Sequence, residues 1–129
     1  MPGTALFDFG DAIRTGANTG AEDEADLDQV GINLDLFAAY AKGYLEVAGS
    51  TLSRNEIDHL AFSAKFMTFI IGLRFLTDHI NGDIYFKIHH PGHNLQRARC
   101  QFKLLKSMET QFEAMQLIVR RYGDSQEVV

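Results

Sequence analysis

Ser53-Arg-Asn-Glu-Ile-Asp-His-Leu-Ala-Phe-Ser-Ala-Lys-Phe-Met-Thr-Phe-Ile-Ile-Gly-Leu-Arg-Phe-Leu-Thr-Asp-His-Ile-Asn-Gly82 is the stretch on which the fold turns. It opens with a capping box, in which the Ser53 hydroxyl and the Glu56 carboxylate each satisfy an orphan backbone N–H of a first helical turn. It closes with Asn81-Gly82, two residues tolerant of left-handed geometry. Between them the pattern predicts one helix running to about Ile80. Its second half is apolar on more than one face, through Phe66, Met67, Phe69, Ile70, Ile71, Leu73, Phe75 and Leu76. A helix apolar nearly all round is buried centrally, so this segment is expected to form the core.

Upstream, Leu27, Val30, Leu34, Phe37, Ala41, Tyr44 and Ala48 recur in steps of three and four, predicting a helix from Asp26 that stops at Gly49. Downstream, Asn94 can cap a third helix, whose stripe is Leu95, Ala98, Phe102, Leu105, Met108, Phe112, Met115, Val119 and Tyr122. The polar residues after Gly123 read as a frayed tail. Ala5-Leu-Phe-Asp-Phe9 reads as a short strand closed by Gly10, and Arg14 to Glu24 as loop. Asp83-Ile-Tyr-Phe-Lys-Ile88 is strand-like but short, and Pro91-Gly92 marks the turn after it. The expected fold class is mainly α: three long helices with a short N-terminal strand, in a single domain over residues 1–129.

Composition agrees with that size. With 129 residues, 46% hydrophobic and including 10 Phe and 4 Tyr, the chain can fill one core but not a large two-lobed enzyme. The same figures exclude disordered and collagen-like chains. A single cysteine, Cys100, cannot make an internal disulfide, which points to a reducing compartment. The longest apolar run, Met67 to Leu73, falls short of a bilayer span, and no signal-like segment opens the chain. A cytoplasmic protein without a membrane partner is therefore expected.

The net charge of −5 is unevenly spread. Between Ala21 and Asp35 lie six acidic residues and no basic one, whereas Lys87 to Arg121 holds seven basic residues against Glu109 and Glu113. A basic helix can track nucleic-acid phosphates. An amphipathic helix with a charged solvent face, packed beside a more acidic neighbour, is the favoured explanation, and no nucleic-acid partner is expected.

Asp8-Phe9-Gly10-Asp11 is the sharpest local motif. A carboxylate at the end of a short strand, followed by Phe-Gly, is how protein-kinase-like enzymes hold Mg²⁺ against nucleotide phosphates. A strand ending in a polar turn has the same four letters. His89, His90 and His93 crowd around Pro91, but a turn with Pro between imidazoles lacks the helical His-x₃-His spacing for zinc, and a solvated loop suits them. Cys100 reads as inert packing, with no Cys-x-Pro-x-Arg pattern of sulfatases after it. For Arg74 two compatible readings stand: an intrahelical pair with Asp78, and a fork of donors aimed at hydroxyls or phosphate oxygens. Tyr85 reads either as an aromatic packed on the central helix or as a pocket residue.

The longer strings Leu6-Phe-Asp-Phe-Gly-Asp-Ala-Ile-Arg-Thr15, Gly72-Leu-Arg-Phe-Leu-Thr-Asp78, Gly82-Asp-Ile-Tyr-Phe-Lys87 and His93-Asn-Leu-Gln-Arg-Ala98 occur in this order. Together they resemble the C-terminal part of the aminoglycoside-phosphotransferase-like kinases, in the branch of the N-acetylhexosamine 1-kinases, some of which have carried a mucin-desulfatase label. The resemblance covers Met1 to about Tyr122. It implies part of a protein-kinase-like large lobe, with ATP and Mg²⁺ as cofactors and phosphoryl transfer to the anomeric hydroxyl of an amino sugar. It assigns Asp8 to the metal, with Asp11 as an accompanying carboxylate, and Arg74 and Tyr85 to the acceptor-sugar pocket. The family's nucleotide-binding lobe and catalytic-base loop have no counterpart in this sequence. Met1-Pro-Gly-Thr reads like the family loop before the metal strand. The expectation is therefore a kinase fragment with no catalytic base of its own, inactive alone and prone to self-association. Two rivals are a stand-alone helical interaction module and a kinase of the same fold acting on an aminoglycoside, choline or another small alcohol.

Overall fold

The computed structural model describes the backbone from Pro2 to Glu127 and the side chains from Ala5 to Gly123. Six α-helices carry the fold among these residues: α1 (Pro2–Gly16), α2 (Leu34–Ala48), α3 (Arg54–Asp58), α4 (Leu60–Ile80), α5 (His93–Thr110) and α6 (Phe112–Glu127). Mainly α is therefore right, but three long helices with a short strand is not.

The strand expected at Ala5–Phe9 lies inside α1. Alternation at Ala5, Phe7 and Phe9 competes with the helical set Phe9, Ile13 and Ala17, and the second wins because all three are buried. Phe7, which a strand would bury with Phe9, is left 48% exposed. A single strand would also leave its backbone groups unpaired. The strand-like segment at 83–88 is turn and bend instead. The described residues contain no strand, only an isolated bridge between Asn18 and Ile32 that closes the acidic loop.

The capping box forms as the sequence predicts, with Ser53 N–H donating to Glu56 Oε1 at 2.8 Å and Glu56 N–H to Ser53 Oγ at 3.1 Å. The helix it opens is interrupted, however. His59, at φ −98° and ψ 2°, ends α3 and starts α4. Gln111 likewise separates α5 from α6. Asn33 rather than Asp26 caps α2, its side chain accepting from Leu36 N–H; Asp26 caps a single 3-10 turn at Leu27–Gln29. Gly49 does close α2, in right-handed geometry. Asn94 is not the cap of the last segment: Gly92, at φ 79°, takes that position.

α1 and α4 lie side by side in the same direction, with Phe7 stacked on Phe66 and Gly10 against Ser63 and Met67. α5 runs back along α4, pairing Asn94 with Asp78 and Met108 with Thr68. α2 packs on α6 and on α1, where Tyr44 donates to the Ala5 carbonyl. One hydrophobic cluster joins them, with Ile13, Phe37, Leu45, Leu60, Leu104, Met108 and Met115 fully buried.

α4 is central, but it is buried on one side only, with Ala64, Thr68, Gly72 and Phe75 covered. Phe62, Phe66, Phe69 and Leu73 stay 38–49% exposed along one stripe. By length and composition α4 also qualifies as long and apolar enough to cross a membrane, which the short run Met67–Leu73 did not reveal. In this fold it is a bundle helix contacted by α1, α3, α5 and α6.

The acidic loop lies along α5, where Gln96 donates to the Asp23 carbonyl and Cys100 Sγ sits 2.8 Å from the Glu24 carbonyl.

Candidate functional site

α4 ends at Ile80, and the chain then doubles back over the helix. Gly82 at φ 95° and Asp83 at φ 63° make the reversal, a conformation that glycine adopts at no steric cost. Asp78 holds the returning chain in place. It is buried, 6% exposed, and its Oδ1 accepts from Tyr85 N–H at 2.7 Å. Its Oδ2 accepts from Phe86 N–H at 3.0 Å and from Asn94 Nδ2 at 2.8 Å. Asn94, fully buried, donates also to Asp83 Oδ1 and accepts from Arg97, which reaches on to the Lys87 carbonyl. Burial opposes ionisation of Asp78, yet the N–H groups of Phe86, Tyr85 and Ile84 and the Asn94 amide outweigh it, holding the carboxyl below the ordinary carboxylate range.

This brace shapes a cleft of about 340 Å³ lined by Ile70, Leu73, Arg74, Thr77, Asp78, Asn81, Tyr85 and Phe86. The Arg74 guanidinium carbon lies 5.4 Å from the Tyr85 ring centre and 5.7 Å from that of Phe86. Stacking of this kind orients a planar guanidinium while leaving its N–H edges available. The structure thus brings Arg74 and Tyr85 into one cleft. It does not form the expected Arg74–Asp78 pair: the guanidinium lies over the Tyr85 and Phe86 rings, while Asp78 is engaged by the loop backbone and Asn94. Nor is Tyr85 packed away, since it is 72% exposed. Apolar walls with a few polar groups and a fixed cation suit a small polyhydroxylated molecule: a sugar stacks a face on the aromatic ring and offers hydroxyls to the guanidinium.

Asp8 and Asp11 sit elsewhere, one turn apart on α1. Asp8 is exposed, and Asp11 Oδ1 is engaged by Arg14 Nε at 2.9 Å. Arg14 is buried at 8% exposure and also holds Glu22 at 2.6 Å. The strand-to-turn geometry that would project Asp8 from stiff extended backbone is replaced by mid-helix geometry. Among the described residues no group of three or more His, Cys, Asp or Glu side chains could hold a metal ion. The two carboxylates, one of them already paired, do not fit Mg²⁺ as a complete site within this chain.

The histidines divide. His89 and His90 are exposed, whereas His93 is 2% exposed, so the solvated-loop reading fails for it. His93 Nδ1 accepts from His89 N–H at 3.2 Å, which leaves Nε2 to donate to Asp23 Oδ2 at 2.8 Å. That bond, before any other cause, holds the Asp23 carboxyl below its ordinary value. Cys100 is fully buried and its thiol is pushed up to about 11, first by desolvation and then by Asp23, Glu24 and Glu22, which suits inert packing.

Sequence reasoning missed the Asp78–Asn94–Arg97 brace. Its one visible signal was an aspartate near the C-terminal end of an apolar helix, where a carboxylate opposes the helix dipole and therefore needs donors from outside. No protein-family model matches the chain.

Proposed function

We propose that this chain is the C-terminal helical portion of an ATP-dependent small-molecule kinase, and that it contributes the acceptor side of the site. The acceptor is an N-acetylhexosamine, phosphorylated at its anomeric hydroxyl. What supports the reading, beside the ordered motifs, is one observation: Arg74 and Tyr85, assigned to the acceptor pocket by resemblance, share a cleft whose loop is fixed by a buried carboxylate. In this role Arg74 donates to sugar oxygens, Tyr85 and Phe86 offer ring faces, and Asp78 keeps the loop from collapsing. ATP and Mg²⁺ belong to the longer enzyme; Asp8, with Asp11 beside it, would contribute to metal binding only together with groups this chain lacks.

Two arms test the proposal. The purified chain should form no sugar 1-phosphate from ATP and N-acetylhexosamines and should not bind ATP–Mg²⁺ in calorimetry at millimolar nucleotide. In a full-length kinase containing this chain, Arg74→Lys should lower kcat/KM about tenfold or more while the unfolding midpoint changes little, because the planar fork is lost but the charge is kept. Sugar 1-phosphate made by the chain alone, or full activity of Arg74→Lys, would overturn it.

A second reading rests on the uncovered stripe of Phe62, Phe66, Phe69 and Leu73. In that reading the chain is a helical module that associates through α4. Sedimentation at micromolar concentration tests the role of the stripe: association through it requires a concentration-dependent mass that Phe66→Ser abolishes.

A further inference from the structure

A second cleft, of about 380 Å³, opens where α1 crosses the α3–α4 junction, away from the Arg74–Tyr85 site. Phe7, Phe66 and Phe62 form its wall, a row of nearly parallel rings with centres 6.0 and 6.3 Å apart and interplanar angles of 22° and 28°. Glu56 and His59 line the same cleft, and no lysine or arginine does. Glu56 Oε1 is committed to the Ser53 N–H of the capping box. Its Oε2 is buried and has no hydrogen-bond partner among the described residues. Oε2 is closed to solvent, so a cation in the cleft offsets the carboxylate's charge through space rather than by a direct hydrogen bond.

The rings favour the same ligand, since their negative faces attract cations. His59 adds an acceptor. Its Nδ1 lies 2.7 Å from the Asn55 carbonyl and donates to it, which in the neutral ring leaves Nε2 as an acceptor. The negative field extends to Tyr44, whose hydroxyl is held above its ordinary pKa first by burial and then by Asp8 and Glu56. We propose that the Phe7–Phe62–Phe66 cleft is a binding site for a small organic cation of the alkylammonium class, with Glu56 as its counter-charge. This site is independent of the acceptor-cleft reading.

Tetramethylammonium is the probe, and tert-butanol is its uncharged counterpart of similar size. Each is titrated into the chain while the probe methyl line and the Phe7, Phe62 and Phe66 ring signals are followed by NMR. The cation should move the ring signals and shift its own methyl line upfield, with an affinity about fivefold or more above that of tert-butanol. Glu56→Gln retains the capping box, for which Gln serves as well as Glu, and should cut cation affinity about fivefold without changing that of tert-butanol. Equal binding of both probes, unchanged affinity in Glu56→Gln, or no response at 100 mM cation, a concentration about twenty-fold above a 5 mM dissociation constant, would overturn the proposal. The comparison of the two probes on the unaltered chain decides the matter even if the variant fails to fold.

Discussion

Gly10 and Gly43 are both mid-helix glycines, yet the same substitution should act on them in opposite directions. A Cβ built on Gly10 falls inside the van der Waals distance of the Ser63 carbonyl oxygen, 2.8 Å from its carbonyl carbon and 2.9 Å from Met67 Cγ. Backbone cannot rotate out of the way, so α1 must lift off α4 or tilt. Overpacking of this kind costs about 2–3 kcal/mol, against a gain of about 1 kcal/mol from replacing a helical glycine by alanine. The net loss for Gly10→Ala is about 1–2 kcal/mol. A Cβ on Gly43 meets nothing within 4 Å. Gly43→Ala therefore keeps the propensity gain and should stabilise by about 0.5–1 kcal/mol. Urea unfolding followed by circular dichroism, with a common slope for all three proteins, reads both values. In thermal unfolding the two variants should straddle the parent, separated by about 6–12 °C. If Gly10→Ala stabilises as Gly43→Ala does, α1 is not seated on α4 at Gly10.

Asp78→Ala should raise hydrogen exchange at the Tyr85 and Phe86 amides about tenfold or more, leaving amides in the middle of α4 protected; equal protection in the variant would refute the brace. His93→Ala removes a buried ring and its bond to Asp23, and should cost about 2–3 kcal/mol in urea unfolding; a loss below about 0.5 kcal/mol would mean that the acidic loop is not anchored there. Asp23 and Asp78 both have carboxyls held below their unfolded values, so their stabilisation is fully present above about pH 4 and is lost as pH falls through the depressed folded values. Unfolding midpoints should therefore drop below about pH 4, and less steeply in His93→Gln; an identical acid limb in that variant would contradict the Asp23 assignment.

The sequence made the helices legible wherever the period ran long. Phe37 and Ala41, buried in α2, belong to the Leu27-to-Ala48 repeat, whereas the equally buried Leu45 lies outside it; Ala98, Met108, Met115 and Val119 lie on the predicted C-terminal stripe. The capping box located the start of α3 to the residue. Breaks were invisible, since neither His59 nor Gln111 is a helix breaker and only tertiary packing bends the chain there. The N-terminal strand failed for the opposite reason: five residues support a period of two as well as one of 3.6, and Ile13 and Ala17, further along, decide the question. Arg74 and Tyr85 could be named from motifs, but their meeting depends on Asp78 and Asn94, which are brought together by the antiparallel packing of α4 and α5. No local pattern records that contact.

The acceptor role of the Arg74–Tyr85 cleft is open to direct measurement on this chain by titrating N-acetylglucosamine and N-acetylgalactosamine while recording ¹⁵N spectra. Saturable shifts are expected at the Arg74 side-chain N–H and at the Tyr85 and Phe86 amides, with a dissociation constant on the order of 1–10 mM for a site that holds only one side of the sugar. Arg74→Ala should abolish them while the rest of the spectrum is unchanged. A folded chain that shows no response at those three positions up to about 100 mM sugar, roughly tenfold above the weakest such constant, would contradict the account, as would shifts that persist in Arg74→Ala.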